Sequence, residues 1–158
     1  MKDLERRDWI RALSAHPAAE IIALAGTLTE DCELRLTRLP HAGLGLLQAK
    51  DGAFGDAYFL GEFPLAVCRV ELTYRDGQRA EGGAQIMADD PELARALAIL
   101  DAIFAARCAG WEQISERLQA GTLLRAEESR RRSAILAATR VNFDLLSRAG
   151  ESEDAYDD

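Results

Sequence analysis

The spacing of apolar and polar positions changes character twice along this chain. From Leu4 to Ala15, Leu4, Trp9 or Ile10, and Leu13 recur near helical spacing, with Arg6, Arg7 and Arg11 between them. The His16-Pro17 step ends that predicted helix, because the residue before a proline is pushed out of helical backbone angles. Pro17 then suits the first turn of a second helix running to about Leu28, with Ile21, Ile22 and Leu24 on its apolar face. Together the two predict a helical hairpin.

The period then falls to two. Cys32-Glu33-Leu34-Arg35-Leu36-Thr37-Arg38-Leu39 alternates strictly, which predicts a strand with one buried face, ended by Pro40. Gly43 to Lys50, Ala57 to Leu60 and Leu65 to Tyr74 read as further strands. Arg75-Asp76-Gly77-Gln78 predicts a tight turn, since Asp-Gly supplies the positive φ it needs, and a strand returns from about Arg79 to Met87. Gly82 and Gly83 weaken that last strand.

Beyond Met87 the helical period returns. Asp89 or Asp90 is placed to cap a helix with Pro91 in its first turn, and Leu93, Leu97, Leu100 and Phe104 form its stripe, joined by Ile99 and Ile103. Gly110 is expected to end it. A short helix from Trp111 to Leu118, a break at Gly121 and a last helix from about Leu123 to Arg148 complete the prediction. In the last, Glu127–Arg131 and Glu128–Arg132 are helical i,i+4 pairs, and Ile135 to Leu146 is apolar on a broad arc. Helices, then consecutive strands, then helices predict an α+β domain with a mostly antiparallel sheet, an N-terminal helical hairpin and C-terminal helices. The connections between strands are too short for βαβ crossovers, which argues against a dinucleotide-binding fold.

Composition narrows the classes. With 158 residues, 48% hydrophobic and 29% charged, the chain suits one globular domain, expected over residues 1–149. The net charge of −8 is concentrated at the end: residues 150–158 hold Glu151, Glu153, Asp154, Asp157 and Asp158, and setting these aside leaves −3. That segment is expected to be a disordered acidic tail. Neither part offers the basic face that a nucleic acid would require. No apolar run reaches membrane-spanning length and MKDLERRDWIRAL has no apolar signal core, so a cytoplasmic protein is expected, without a membrane partner. Cys32, Cys68 and Cys108 are odd in number and far apart, which fits reduced thiols better than a disulfide framework or a zinc site.

Candidate chemistry is sparse. His16 and His41 sit at proline-containing turns, outside any pattern with a nucleophile. Gly52-Ala53-Phe54-Gly55 could offer backbone N–H groups to a phosphate, but Asp51 and Asp56 flank it and would repel an anion. A hairpin loop or a close subunit contact explains it better. Lys50, Arg69 and Arg79 would hold a polyphosphate if neighbouring strands brought them together. Glu62, after Gly61 at a strand end, and Arg140, amid apolar residues, are further contact candidates. No residue is assigned a catalytic role and no metal site is expected. Two further readings remain: a stand-alone small-anion (phosphate or phosphonate) binding module, and a self-sufficient enzyme using His16, His41 and Glu62.

The most distinctive segment is Gly43 to Glu62, GLGLLQAKDGAFGDAYFLGE, whose closely repeated glycines mark positions of positive φ or close approach. Gly43-Leu44 through Gln48-Ala49, Gly52-x-x-Gly55 and Phe59-x-Gly61-Glu62 resemble the PhnG subunit family of the bacterial carbon–phosphorus lyase system. Leu65-x-x-Cys68-x-Val70-x-Leu72, Asp76-Gly77, Asp101-Ala102, Arg6-x-x-Trp9 and Thr139-Arg140-Val141-Asn142-Phe143 extend the resemblance over nearly the whole chain except the tail. Departures fall at Ala66 and Val67, where the family commonly has threonine and arginine, and at Pro91, Leu93 and Arg95. The resemblance is to a divergent member.

That resemblance implies a cytoplasmic complex in which PhnG acts with PhnH, PhnI and PhnL, and belongs to a core with PhnH, PhnI and PhnJ. The implied reaction displaces adenine from MgATP by an alkylphosphonate, giving α-D-ribose 1-methylphosphonate 5-triphosphate. MgATP would then be a substrate of the complex, with no cofactor held by this chain alone. Lys50, Gly52, Gly55, Gly61, Glu62, Arg69 and Arg140 are the expected partner or phosphate contacts.

Overall fold

A computed structural model describes residues 4–138. It divides into two compact units, Met1–Arg125 and Ala126–Asp158. The first holds α1 (Arg6–Leu13), α2 (Ala18–Leu28), β1 (Cys32–Lys50), β2 (Ala57–Tyr74), β3 (Arg79–Ile86), α3 (Pro91–Ala106) and the start of α4 (Trp111–Ala138). The second is described over 126–138, a helical stretch in which Arg132 and Glu128 pair at 3.1 Å. The expected acidic tail and Arg140 lie outside the described residues.

The architecture is α+β: one antiparallel sheet in the order β1-β2-β3, with helices on one face. Two expected breaks are not breaks. Pro40 lies inside β1, where the pairing skips Leu39 and Pro40 between Arg38↔Arg69 and His41↔Val67. β1 is an edge strand, and an edge-strand bulge tolerates a residue with no N–H to donate. Pro64 lies inside β2 for a related reason: it pairs with Leu44 beyond the point where β3 stops, Ile86 opposite Ala66. The four strand runs on either side of these prolines are therefore two long strands.

Gly121 also continues a helix rather than ending one, so Trp111–Ala138 is a single α4. A Cβ there would stand 2.1 Å from the backbone oxygen of Ala12. The missing side chain allows α4 to touch α1 directly. His16, in the turn after α1, bonds the carbonyl of Arg117 at 2.8 Å, and Arg117 pairs with Glu20 of α2 at 2.9 Å, tying α4 to the helical hairpin as well.

α3 is the centre of the core. Asp90 caps it by accepting from Leu93 N–H at 2.9 Å, Pro91 begins it, and Arg107 ends it in the left-handed region at φ 53. Leu97, Leu100 and Ile103 are fully buried against Val70, Leu72 and Cys68 of the sheet and Leu13, Ile21 and Ile114 of the helices. Each such side chain contributes roughly 1.5–3 kcal/mol of burial. Gly82 lets β3 lie flat on α3, because a Cβ there would come within 2.2 Å of the Ala98 carbonyl oxygen. An aromatic row ties three helices together: Trp9 meets Phe104 edge-on at 4.5 Å, and Phe104 reaches Trp111 at 6.2 Å.

Candidate functional site: an apolar arm and an arginine cleft

Below the Ala66–Ile86 pair, β1 and β2 continue alone. From Gly43↔Leu65 to Lys50↔Ala57 they form a two-stranded ribbon with no β3 partner, and most of its residues are exposed. Successive residues of a strand point to opposite faces, so Leu46-Leu47 and Tyr58-Phe59-Leu60 make both faces of the ribbon apolar. Leu44 is 68% exposed and Phe59 62%, and Phe54 at the tip is 84% exposed.

Three glycines of this segment, Gly45, Gly55 and Gly61, have local causes, and two, Gly43 and Gly52, do not bear out the expected positive φ or close approach. Gly45 faces Phe63, whose ring atom Cζ would lie 2.5 Å from a Cβ, so the aromatic ring fills the glycine's place. Gly61 has φ 153 at the register slip between Leu47 and Gln48, and Gly55 turns the tip at φ 73. A Cβ at Gly43 or Gly52 would meet nothing. The tip loop directs its N–H groups inward: Asp51 N–H bonds Asp56 O at 2.9 Å, Gly55 N–H bonds Asp51 O at 3.0 Å, and Ala53 N–H bonds the Asp51 carboxylate at 3.0 Å. Those amides are thereby satisfied within the loop.

The residues proposed from sequence separate into two places. Lys50, Gly52, Gly55, Gly61 and Glu62 all lie on the arm, Glu62 exposed opposite Leu46. Arg69 lies in the three-stranded body. Arg79 stands opposite Thr73, four positions along β3 from Arg69's partner Gly83, and its guanidinium is 3.9 Å from Glu71. The strands thus set Lys50, Arg69 and Arg79 apart.

Arg69 has other company. On the sheet face opposite α3, a cleft of about 490 Å³ is lined by Arg6, Arg38, Arg69 and Gly83, among others. Its three arginines reach it from separate elements. The bulge between Leu36 and Arg38 sets Arg38, rather than Thr37, opposite Arg69, and Arg69 in turn faces Gly83. From the sequence, Arg38 reads as a solvated strand position, and Arg6, though part of the Arg6-x-x-Trp9 motif, reads as a helix residue facing water. Only the pairing register and a long-range ion pair bring them here.

That ion pair holds Arg6. Its Nε and Nη2 donate to Asp101 at 3.1 and 2.8 Å, and Nη2 also donates to the Glu81 carbonyl at 3.1 Å. Asp101 is 5% exposed, and its Oδ2 accepts from Gly83 N–H at 3.0 Å. The hydrogen bond to Asp101 raises the Arg6 pKa, and burial works against it more weakly. The free edge of β3 is closed by these bonds.

His41 bonds the Leu39 carbonyl at 3.0 Å and lies 3.5 Å from Arg38, beside no nucleophile. Burial pushes the thiols of Cys68 and Cys108 up, away from reactive thiolate character. Among the described residues no group of three or more histidines, cysteines and carboxylates is placed to hold a metal, and no helix is long and apolar enough to cross a membrane. Of the departing positions, Ala66 is fully buried, Val67 lines the cleft, and Arg95 pairs with Glu92 at 3.4 Å.

Comparison with known proteins agrees with the motifs of the arm. The chain is 32% identical over 146 residues to the alpha-D-ribose 1-methylphosphonate 5-triphosphate synthase subunit PhnG of Rhizobium meliloti (strain 1021), covering 91% of this chain and 89% of that protein. Residues 4–149 match the family described as phosphonate metabolism protein PhnG, and the chain belongs to that family.

Proposed function

We propose that this chain is an accessory subunit of a phosphonate-degrading carbon–phosphorus lyase complex, and that it docks there through its β-arm. The arm carries this reading. A two-stranded ribbon is at best marginally stable in water, and this one exposes leucine and aromatic side chains on both faces. Burial between partner surfaces would satisfy both. The relative's name, a subunit of a synthase, supports the same conclusion.

In this reading the assembled complex displaces adenine from MgATP by an alkylphosphonate, giving α-D-ribose 1-methylphosphonate 5-triphosphate, in the cytoplasm where MgATP is supplied. The reaction requires a phosphonate oxygen positioned against ribose C1′ and neutralisation of the triphosphate charge. PhnI-, PhnH- and PhnJ-like subunits, with PhnL, are the proposed partners, and they supply the reacting groups. This chain shapes the partner's pocket or lends it a cation such as Lys50, Arg69 or Arg140, and is inactive alone.

Coexpression with a tagged PhnI-like chain, with and without PhnH- and PhnJ-like chains, tests the proposal. Stoichiometric copurification is expected, with adenine release from MgATP and methylphosphonate only in the assembled state. A well-behaved monomer that ignores those chains would overturn it.

A further inference from the structure

We propose that the arginine cleft on the open sheet face binds a multiply charged tetrahedral oxyanion, the phosphoryl or phosphonyl end of a small molecule. The assignment stands on the geometry of this chain and not on the assembly reading, so failure to copurify with a partner leaves it untouched.

The charges of the sheet face separate into two rows. One runs Arg35, Glu71 and Glu81 across the three strands; there Glu71 pairs with Arg35 and lies 3.9 Å from Arg79, which stands in the row beyond, opposite Thr73. The adjacent row runs Arg38, Arg69, Gly83 across the three strands. Among the described residues neither Arg38 nor Arg69 has a carboxylate partner. Arg38 has only the His41 ring at 3.5 Å. Glu81 is the single acidic residue of the lining.

The floor is shaped for a ligand as well. Gly83 adds no side chain, and the Arg69 Cγ stands 3.3 Å from where its Cβ would be, so the arginine stem lies over the glycine. Arg6 closes the β3 side, fixed through Nε and Nη2, while Nη1 makes no hydrogen bond among the described residues. One guanidinium is therefore held and charge-balanced by Asp101, and two have no ion-pair partner among the described residues, against the one lining carboxylate of Glu81. Planar guanidinium forks match phosphate oxygens two at a time, which a single carboxylate would not saturate. A volume near 490 Å³ suits a small molecule rather than a bare ion.

The experiment is calorimetric titration of the full chain at low ionic strength with inorganic phosphate, methylphosphonate and tripolyphosphate. Binding is expected, with a loss of about tenfold or more in Arg69→Gln and in Arg38→Gln. Arg79→Gln, outside the cleft lining and beside Glu71, should change affinity less than about twofold. Arg69→Lys keeps the charge without the fork and should fall between, which separates recognition from misfolding. Preference for methylphosphonate places a free phosphonate in the cleft, and binding confined to tripolyphosphate places a nucleotide's phosphate chain there. Either supports the proposal. Absence of binding by all three anions, or affinity indifferent to both glutamine variants, overturns it.

Discussion

Arg6 and Asp101 stand 95 residues apart in sequence and meet through two hydrogen bonds, at 3.1 and 2.8 Å. They join the first helix to the central one and close the edge of β3. The Asp101 carboxylate is buried and Arg6 half-exposed, so the two truncations are unequal. Arg6→Ala should destabilise the fold by about 1–3 kcal/mol, because Asp101 then keeps only Gly83 N–H. Asp101→Ala should cost at least as much, since the Gly83 N–H loses its acceptor. Urea unfolding of both singles and the double decides the matter: a double mutant as unstable as the summed singles would mean that the pair is not coupled.

Gly82→Ala should be among the most damaging small changes in the chain. Its Cβ would meet the backbone of Ala98 and Ala102, which cannot swing aside as a side chain can. A loss of about 1–3 kcal/mol or more is expected, against a change within about 0.5 kcal/mol for Gly43→Ala, where nothing stands nearby. Thermal unfolding of the two variants side by side checks this.

Arm variants should separate folding from assembly. Leu46→Ser with Phe59→Ser removes apolar groups that are exposed in this chain alone. The melting temperature should barely move, while capture by a PhnI-like chain falls by about tenfold or more. Equal loss of both would show the arm to be part of the core.

Tyr74 offers a pH test. Its buried hydroxyl finds no nitrogen or oxygen partner among the described residues and has the Cys108 thiol for a neighbour; burial first, then the Cys108 and Cys32 thiols, raise its pKa. Burial raises the Cys68 and Cys108 thiols as well. Groups whose folded pKa lies above the unfolded value lend stability that is complete below the unfolded pKa and is lost as pH rises. Stability should therefore be level near neutrality and decline above about pH 9. Tyr74→Phe deletes that hydroxyl, and should gain about 1 kcal/mol near pH 7 and flatten part of the alkaline decline. Denaturant midpoints from pH 7 to about pH 10.5 measure both effects.

Local patterning determined most of the elements. The Asp90-Pro91 cap, the Asp76-Gly77 turn and the Leu93–Phe104 stripe each carry their conformation in neighbouring residues and stand in the fold as expected. The alternation from Cys32 holds to Leu36 and fails past the bulge, where Leu39 turns outward at 69% exposed. The segment rich in glycine and leucine was legible as distinctive, but its exposure on both faces was not, since that depends on β3 stopping at Ile86. Pro40, Pro64 and Gly121 were not: whether such a residue ends an element depends on what lies beside it. For Pro40 that is the bulged pairing of an edge strand, for Pro64 a neighbour strand that has already stopped, and for Gly121 the backbone of another helix. The arginine cleft belonged wholly to tertiary structure. Arg6, Arg38 and Arg69 share no local period, and only strand register and the buried Asp101 bring their charges to one place.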